Sequence, residues 1–369
     1  MTATTPADAR LAADTYRYSR YARGRQALAW MWDRPIARAL VRAFITIFLV
    51  TTLNFVLIRL MPGNAVDNYI SQIMNEQLLS YEDARQQASA LFNLDLKKPI
   101  HEQYVQFLGD LVRGNLGTSM LSQGTSVISI IVAYLPWTLF TVGLGLMLSF
   151  TVGIFLGLLA AYRRNSLFDH TVSSFGSILS SVPNYIIALV LVVILGTQLR
   201  LLPIAQMRGA YSPDVPAGFY VEYLADILFH AALPVSVYFL ATVGHWILSM
   251  KSATLATLEE DYVTAARARG LPDSRITTAY VGRNAVLPLV SQLAIQAGYV
   301  VGGAFFIESI LVYPGIGLRL FKSIDQRDYT VMQGIVLLLT VSVVVANLIA
   351  DLLYAKLDPR IGRAGGANG

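Results

Sequence analysis

The sequence predicts an all-α integral membrane protein with six transmembrane helices and a structured extracytoplasmic loop after the first. Three observations carry this. Of 369 residues, 55% are hydrophobic and only 14% charged, where a soluble domain carries about a quarter charged residues. Six long stretches are nearly free of charge, each approaching the roughly 20 apolar residues that cross a bilayer. The Lys and Arg residues gather in alternate loops instead of forming a basic face, which is a topology signal.

The same numbers exclude several classes. Mean hydropathy is +0.53, against the polar, charge-rich composition of disordered chains. The net charge of +5 does not indicate nucleic acid, because the basic residues are not spread like a nucleic-acid face. With no cysteine, disulfides, thiolate metal sites and a cysteine nucleophile are ruled out. Four histidines supply a multi-His metal site poorly. His101-Glu102 lacks the spaced second histidine of a zinc protease, and no Gly-x-x-x-x-Gly-Lys-Ser/Thr string is present to cradle nucleotide phosphates. No catalytic residue, metal site or cofactor is therefore expected in this chain.

Residues 1–42 form an Arg-rich tail containing Tyr16, Tyr18, Tyr21, Trp30 and Trp32. It reads either as a helix over 24–33 lying on anionic membrane lipids or as a tail that fixes topology. The membrane region covers 43–355. The first span covers 43–58, bracketed by Arg42 and Arg59, which can snorkel to the two interfaces. The second covers 128–161, the third 171–199, the fourth 227–250, the fifth 284–307 and the sixth 331–350. Residues 356–369 are a second short tail. With the N-terminus inside, most of the 28 basic residues fall on the cytoplasmic side, so both termini are expected there.

The outside segment 61–127 is long for a loop and should have structure of its own. A helix is expected over 80–94, with Ser80 as N-cap and Glu82 and Asp83 in its first turn, and another over 101–112. Residues 198–226, rich in Pro and Gly, should be irregular.

The loop between spans 4 and 5, residues 251–283, is the informative one. Thr257-Leu-Glu-Glu260 fits a capping box. Glu259, Glu260 and Asp261 sit at the positive end of the expected helix, and Arg267 and Arg269 at its negative end. Gly270 is placed as a left-handed cap and Pro272 forbids continuation. A helix over 258–269 follows, then a second over 273–287 ahead of Pro288. Ala265, Ala266 and Ala268 would allow close approach of a partner, with Ala266 at the contact. The alternative is an ordinary well-capped surface helix.

Polar residues in the spans should face a partner helix or water. Ser180, Ser181, Asn184, Gln292, Gln296, Gln333 and Asn347 fit either a translocation path or hydrogen bonds between helices. Gly153/Gly157 and Gly298/Gly302 are small-xxx-small pairs for close helix contacts, within the chain or with a partner membrane chain. Glu308 and Asp351 lie near span ends, where reaching water is the simple expectation. His230 and His245 are expected to be structural.

Asp261-Tyr-Val-Thr-Ala-Ala-Arg-Ala-Arg-Gly270, Ile276 and Arg283-Asn-Ala-Val-Leu-Pro288 resemble the EAA loop of binding-protein-dependent ABC importer permeases. The narrower resemblance is to the dipeptide/oligopeptide/nickel type. Further matching strings are Met61-Pro-Gly, Arg113-Gly-Asn-Leu-Gly-Thr-Ser119, Leu135-Pro-Trp-Thr138 and Ser181-Val-Pro-Asn-Tyr185. Glu308-Ser-Ile-Leu-Val-Tyr-Pro-Gly-Ile-Gly317, Arg327-Asp-Tyr329 and Tyr354-Ala-Lys-Leu-Asp-Pro-Arg360 complete the series. Asp261 and Thr264 depart mildly from a strict Glu-Ala-Ala, and the Arg-rich tail is outside the family pattern.

The resemblance implies a type I ABC importer permease fold in a bacterial or archaeal inner membrane. It implies that Glu260, Asp261, Ala265, Ala266, Arg267 and Gly270 belong to an ATPase-coupling loop. The implied partners are a second homologous permease, two ATPase subunits that bind ATP and Mg, an extracytoplasmic solute-binding protein docking on 61–125, and membrane lipids. Peptides are the implied cargo. The aromatic residues Tyr211, Phe219, Tyr220 and Tyr223 resemble those of oligosaccharide members and keep that alternative open. A secondary transporter should show inverted repeats and ionisable residues at broken mid-span helices, and the sequence has neither.

Overall fold

The computed structural model describes residues 35–60, 70–71, 74–75, 78, 80–84, 86, 99–122 and 124–357. The expected tail helix over 24–33, most of the 80–94 helix and the 356–369 tail beyond Leu357 lie outside them. Ten helices are labelled here: α1 (Pro35–Leu60), α2 (Ile100–Val112), α3 (Val127–Tyr162), α4 (Leu167–Ser181) and α5 (Asn184–Leu191). They continue with α6 (Val221–Leu258), α7 (Asp261–Ala268), α8 (Arg283–Leu311), α9 (Ile316–Asp325) and α10 (Tyr329–Leu357). Among the described residues there is no strand, only an isolated bridge between Thr118 and Ser126.

Four helices, α1, α3, α6 and α10, are individually long and apolar enough to span a membrane, and two bent pairs bring the total to six. Local chemistry sets their starts. Ser126 and Ser166 cap α3 and α4 by accepting from the amides of Ser129 and Asp169, at 3.1 and 3.2 Å. Ser80 likewise accepts from the amide of Asp83, and residues 81–84 are helical.

The third span, expected over 171–199, is a broken pair of helices. α4 stops at Ser181, and α5 with its π-helical extension Val192–Gln198 leaves at 103°. The cause is Pro183. A residue before proline is driven from helical to extended backbone, and Val182 has ψ 126°. Pro288 has the opposite outcome. The expected stop ahead of it does not occur, because Asp273–Arg275, the π-helical Ile276–Gly282 and α8 run on continuously through it. A proline inside a helix removes one hydrogen bond to the carbonyl four residues back and crowds it, and the fifth span takes this up without ending there.

The core is the parallel pairing of α3 and α6, whose contacts advance together along both helices from Gly145–Tyr238 to Gly157–Met250. A Cβ added at Gly145 would lie 2.6 Å from Tyr238 Cβ, and one at Gly157 would lie 2.5 Å from the Ile247 carbonyl oxygen. One at Gly153 would overlap Trp246 Cβ. The Gly153/Gly157 pair therefore serves packing within this chain. Gly298 does the same against Ala346 of α10, at 2.9 Å, whereas Gly302 has no heavy atom within 4 Å of an added Cβ. Trp246, Met250, Leu146, Ala285 and Leu289 fill the half of the bundle nearer α7, called here the loop end. Val237, Tyr238, Ile187, Ala188, Ala304 and Ile307 fill the far half.

α1 stands at the edge, with Phe44, Leu49, Leu53 and Leu57 exposed, as suits a lipid-facing span. Phe55 is its buried anchor, with ring centroids 5.2 and 5.4 Å from Tyr104 and Phe107 of α2. The expected helix over 101–112 is thus present and leans on the first span.

Candidate functional site

The loop between the fourth and fifth spans departs from the capping-box expectation. Thr257 is still inside α6, where its hydroxyl donates to the Ala253 carbonyl at 2.8 Å. That back-bonding is what a helical threonine does when its i−4 carbonyl is in reach. α7 starts three residues later than expected, with Glu260 at the N-cap position and no side-chain cap. Its other end is as expected. Gly270 has φ +73° and its amide donates to Arg267 O at 2.9 Å. The Leu271 amide donates to Ala266 O at 3.3 Å, which completes a Schellman motif.

The faces of α7 separate its residues. Val263 and Ala266 are buried in a cluster with Ile276, Val281, Tyr162, Leu258, Leu271 and Tyr280. Ala266 is therefore not the outward contact expected of it. The i, i+3 spacing with Val263 turns it toward the body of the chain. Glu260, Asp261, Ala265, Arg267 and Gly270 are exposed, as are Thr264, Ala268 and Arg269. The outward surface is small in the middle, acidic at its start and basic at its end. Asn284 Nδ2 donates to Tyr262 Oη at 3.2 Å, tying α7 to the root of α8.

The polar residues of the spans fall into three places. Ser180, Ser181 and Asn184 flank the break in the third span. Both serine hydroxyls donate back to carbonyls of their own helix, at 2.8 Å. Asn184 faces Gly303 of α8, where an added Cβ would stand 3.3 Å from its Nδ2. Gln296 and Gln292 sit two and three turns along α8 from Gly303, toward the loop end, and Gln292 Oε1 is buried without a hydrogen-bond partner. Gln333 and Asn347 lie apart on α10. The Gln333 carbonyl accepts from Asn54 Nδ2 of α1 at 3.4 Å. Asn347 lines a groove of about 180 Å³ with Ala39, Arg42 and Thr46 of α1.

Two buried carboxylates, Glu308 and Asp328, were not anticipated as parts of the structure's frame. Glu308 does not reach water. It is fully buried, where Thr138 Oγ1 donates to its Oε1 at 2.6 Å, and the amides of Gly317 and Leu318 donate to its Oε2 at 2.7 and 3.3 Å. Thr138 also accepts from the Ile316 amide at 2.8 Å. The carboxyl thus holds the positive end of α9 against the end of α8. The side chain of Asp351 lies outside the described residues. Asp328, also fully buried, accepts from Ser119 Oγ at 2.5 Å and from the amides of Met120 and Val331, both at 3.2 Å. His230 is buried and structural, with Nδ1 2.9 Å from the Asp226 carbonyl. Among the described residues no group of three His, Asp or Glu side chains forms a metal-sized cluster.

The profile of the binding-protein-dependent transport system inner membrane components matches residues 153–363, which include the broken span, α7 and the Glu308 junction. The chain belongs to this family. Its relatives agree along nearly the whole length. A di/tripeptide transport system permease of Pseudomonas aeruginosa is 33% identical over 338 residues, covering 88% of this chain and 98% of the relative. An oligopeptide transport system permease of Bacillus subtilis is 31% identical, over 85% of this chain and 94% of its own. A dipeptide transport system permease of Escherichia coli K12 is 31% identical with the same coverage. The chain is accordingly a multi-pass inner-membrane permease component, all-α in architecture.

Proposed function

We propose that this permease component carries short peptides inward through the membrane, driven by ATP hydrolysis on partner ATPase subunits. The observation that carries the reading is α7, a short helix fixed to the body of the chain by Val263 and Ala266 that presents Asp261, Ala265, Arg267 and Ala268 outward. A helix anchored on one face and small on the other suits a cleft on a soluble partner, to which it transmits or from which it receives a push. The permease performs no bond chemistry. ATP and Mg belong to the two ATPase subunits, a second permease completes the pathway, and a solute-binding protein delivers cargo to the extracytoplasmic side.

In this arrangement both termini and α7 are cytoplasmic, and residues 61–127 are outside. Ser180, Ser181 and Asn184 at the break, with Gln292 and Gln296 two to three turns farther along α8, are the path residues proposed here. Gln333 and Asn347 belong to the contact with α1. The peptide relatives named above support peptides over oligosaccharides as cargo. The outer aromatic residues have an account without a sugar, since Tyr211 packs against Trp137 and Tyr223 at 6.1 and 5.4 Å.

The test is a pair of substitutions on opposite faces of α7. Ala265→Glu should leave the chain folded and inserted but lose co-purification of the ATPase subunits. Ala266→Glu should instead destabilise the loop, because it buries an unpaired charge among Val263, Ile276 and Val281. Retention of the ATPase at wild-type yield by Ala265→Glu would overturn the docking reading of α7.

A further inference from the structure

We propose that Asp169 and Lys251 form a buried strut that carries movement of α7 into the broken third span. The inference rests on the importer reading above. Asp169 stands in the first turn of α4, with its side chain 4% exposed, and Lys251 stands on α6 at 22%. Lys251 Nζ lies 2.5 Å from Asp169 Oδ1. Ser173 joins both, donating to Asp169 Oδ1 at 3.0 Å and accepting from Lys251 Nζ at 2.9 Å. The Asn165 amide donates to Asp169 Oδ2 at 3.1 Å. Both carboxylate oxygens and the ammonium are therefore engaged, across two helices.

Position gives the strut its role. Lys251 is seven residues, about 10 Å of helix, before the end of α6, and α7 follows after two residues. Seven residues from the ion pair on each helix lies a second contact, where Gly176 meets Gly244. A Cβ added at Gly244 would overlap the Gly176 carbonyl oxygen. The two contacts sit two turns apart on both helices, so α4 cannot slide or roll on α6. α5, beyond the break at Val182–Pro183, is held differently. Its Ile187 and Ala188 pack in a cluster that joins Leu233, Val237 and Tyr238 of α6 to Ala304 and Ile307 of α8, and Asn184 faces Gly303. A displacement of α7 transmitted along the nearby half of α6 must take α4 with it, while α5 is braced by α8 as well as by the far half of α6. The 103° break is where the two parts would move relative to each other.

A buried ion pair is weak support for stability alone, since apolar residues of similar size often do as well. What it adds is a fixed register between the two helices.

The experiment uses the assembled importer in proteoliposomes, with nitroxide labels at cysteines introduced at Phe175 on α4 and Val190 on α5. Both side chains are exposed, and the chain has no cysteine of its own. The distance between labels is read with and without ATP and vanadate, alongside labelled dipeptide accumulated per ATP hydrolysed. The wild-type distance should shift on ATP trapping. Asp169→Asn and Lys251→Met should keep ATPase co-purification, lose the shift and deliver about tenfold less peptide per ATP. The exchange Asp169→Lys with Lys251→Asp should restore both readouts in part, which a merely structural loss would not do. An unchanged shift and peptide-per-ATP ratio in the single variants would overturn the strut. A wild-type complex that accumulates dipeptide with no shift would also overturn the strut; failure of the wild-type complex to retain ATPase or to accumulate dipeptide would overturn the importer reading itself.

Discussion

Replacing Glu308 by alanine should be among the most damaging single changes in the far half of the chain. The carboxyl receives three donors in a fully buried site: Thr138 Oγ1 at 2.6 Å, the Gly317 amide at 2.7 Å and the Leu318 amide at 3.3 Å. The two short bonds dominate. A buried donor left without an acceptor costs about 1–3 kcal/mol, so the pair predicts a loss of roughly 3–5 kcal/mol, the longer Leu318 contact adding little. Water is a poor substitute, because Gly315 and Gly317 press on the carboxyl so closely that a Cβ on either would crowd it. Glu308→Gln keeps one acceptor oxygen for the two amides and should lose less than half as much. Thr138→Val combined with Glu308→Ala should cost less than the sum of the single changes, since the two share a hydrogen bond. The assay is thermal unfolding of the purified chain in detergent, where Glu308→Ala should lower the midpoint on the order of 10 °C. The reasoning fails if Glu308→Ala unfolds within about 1 °C of the wild type.

Three further outcomes are expected. Gly244→Ala should destabilise the chain by about 1–3 kcal/mol through overpacking against Gly176. Gly302→Ala, with open space around it, should be neutral or stabilise slightly in the same unfolding assay. A cysteine introduced at Gln86 should react with a membrane-impermeant reagent in intact cells; protection until lysis would reverse the proposed orientation.

The spans were legible because long apolar runs bounded by arginine leave few alternatives in a bilayer. The shape of the third was not, although Pro183 stands in it, because apolar content is indifferent to direction. Pro183 breaks a helix in mid-course, whereas Pro288, six residues after Gly282, lies in a helix that runs on through it. Thr257 imitates a cap because the same hydroxyl that caps a helix start can bond back to the carbonyl four residues earlier inside one. The C-terminal end of α7 was legible from Gly270 and Pro272, since a positive φ followed by proline permits little else. The inward face of Ala266 was present in its spacing from Val263, but an alanine carries too little apolar signal to orient an eight-residue helix. Glu308, placed near the end of an apolar run, resembles a residue reaching water. What buries it is the chain reversal at Val312–Gly315, which swings the amides of α9 onto it, a long-range event that no local pattern records.

The most direct test of the account is uptake. The chain is assembled in proteoliposomes with its second permease and ATPase subunits, and supplied outside with the solute-binding protein and a labelled dipeptide. The account predicts accumulation that requires ATP on the α7 side and disappears with Ala265→Glu. Accumulation that proceeds without ATP, or that survives Ala265→Glu at the wild-type rate, would contradict it.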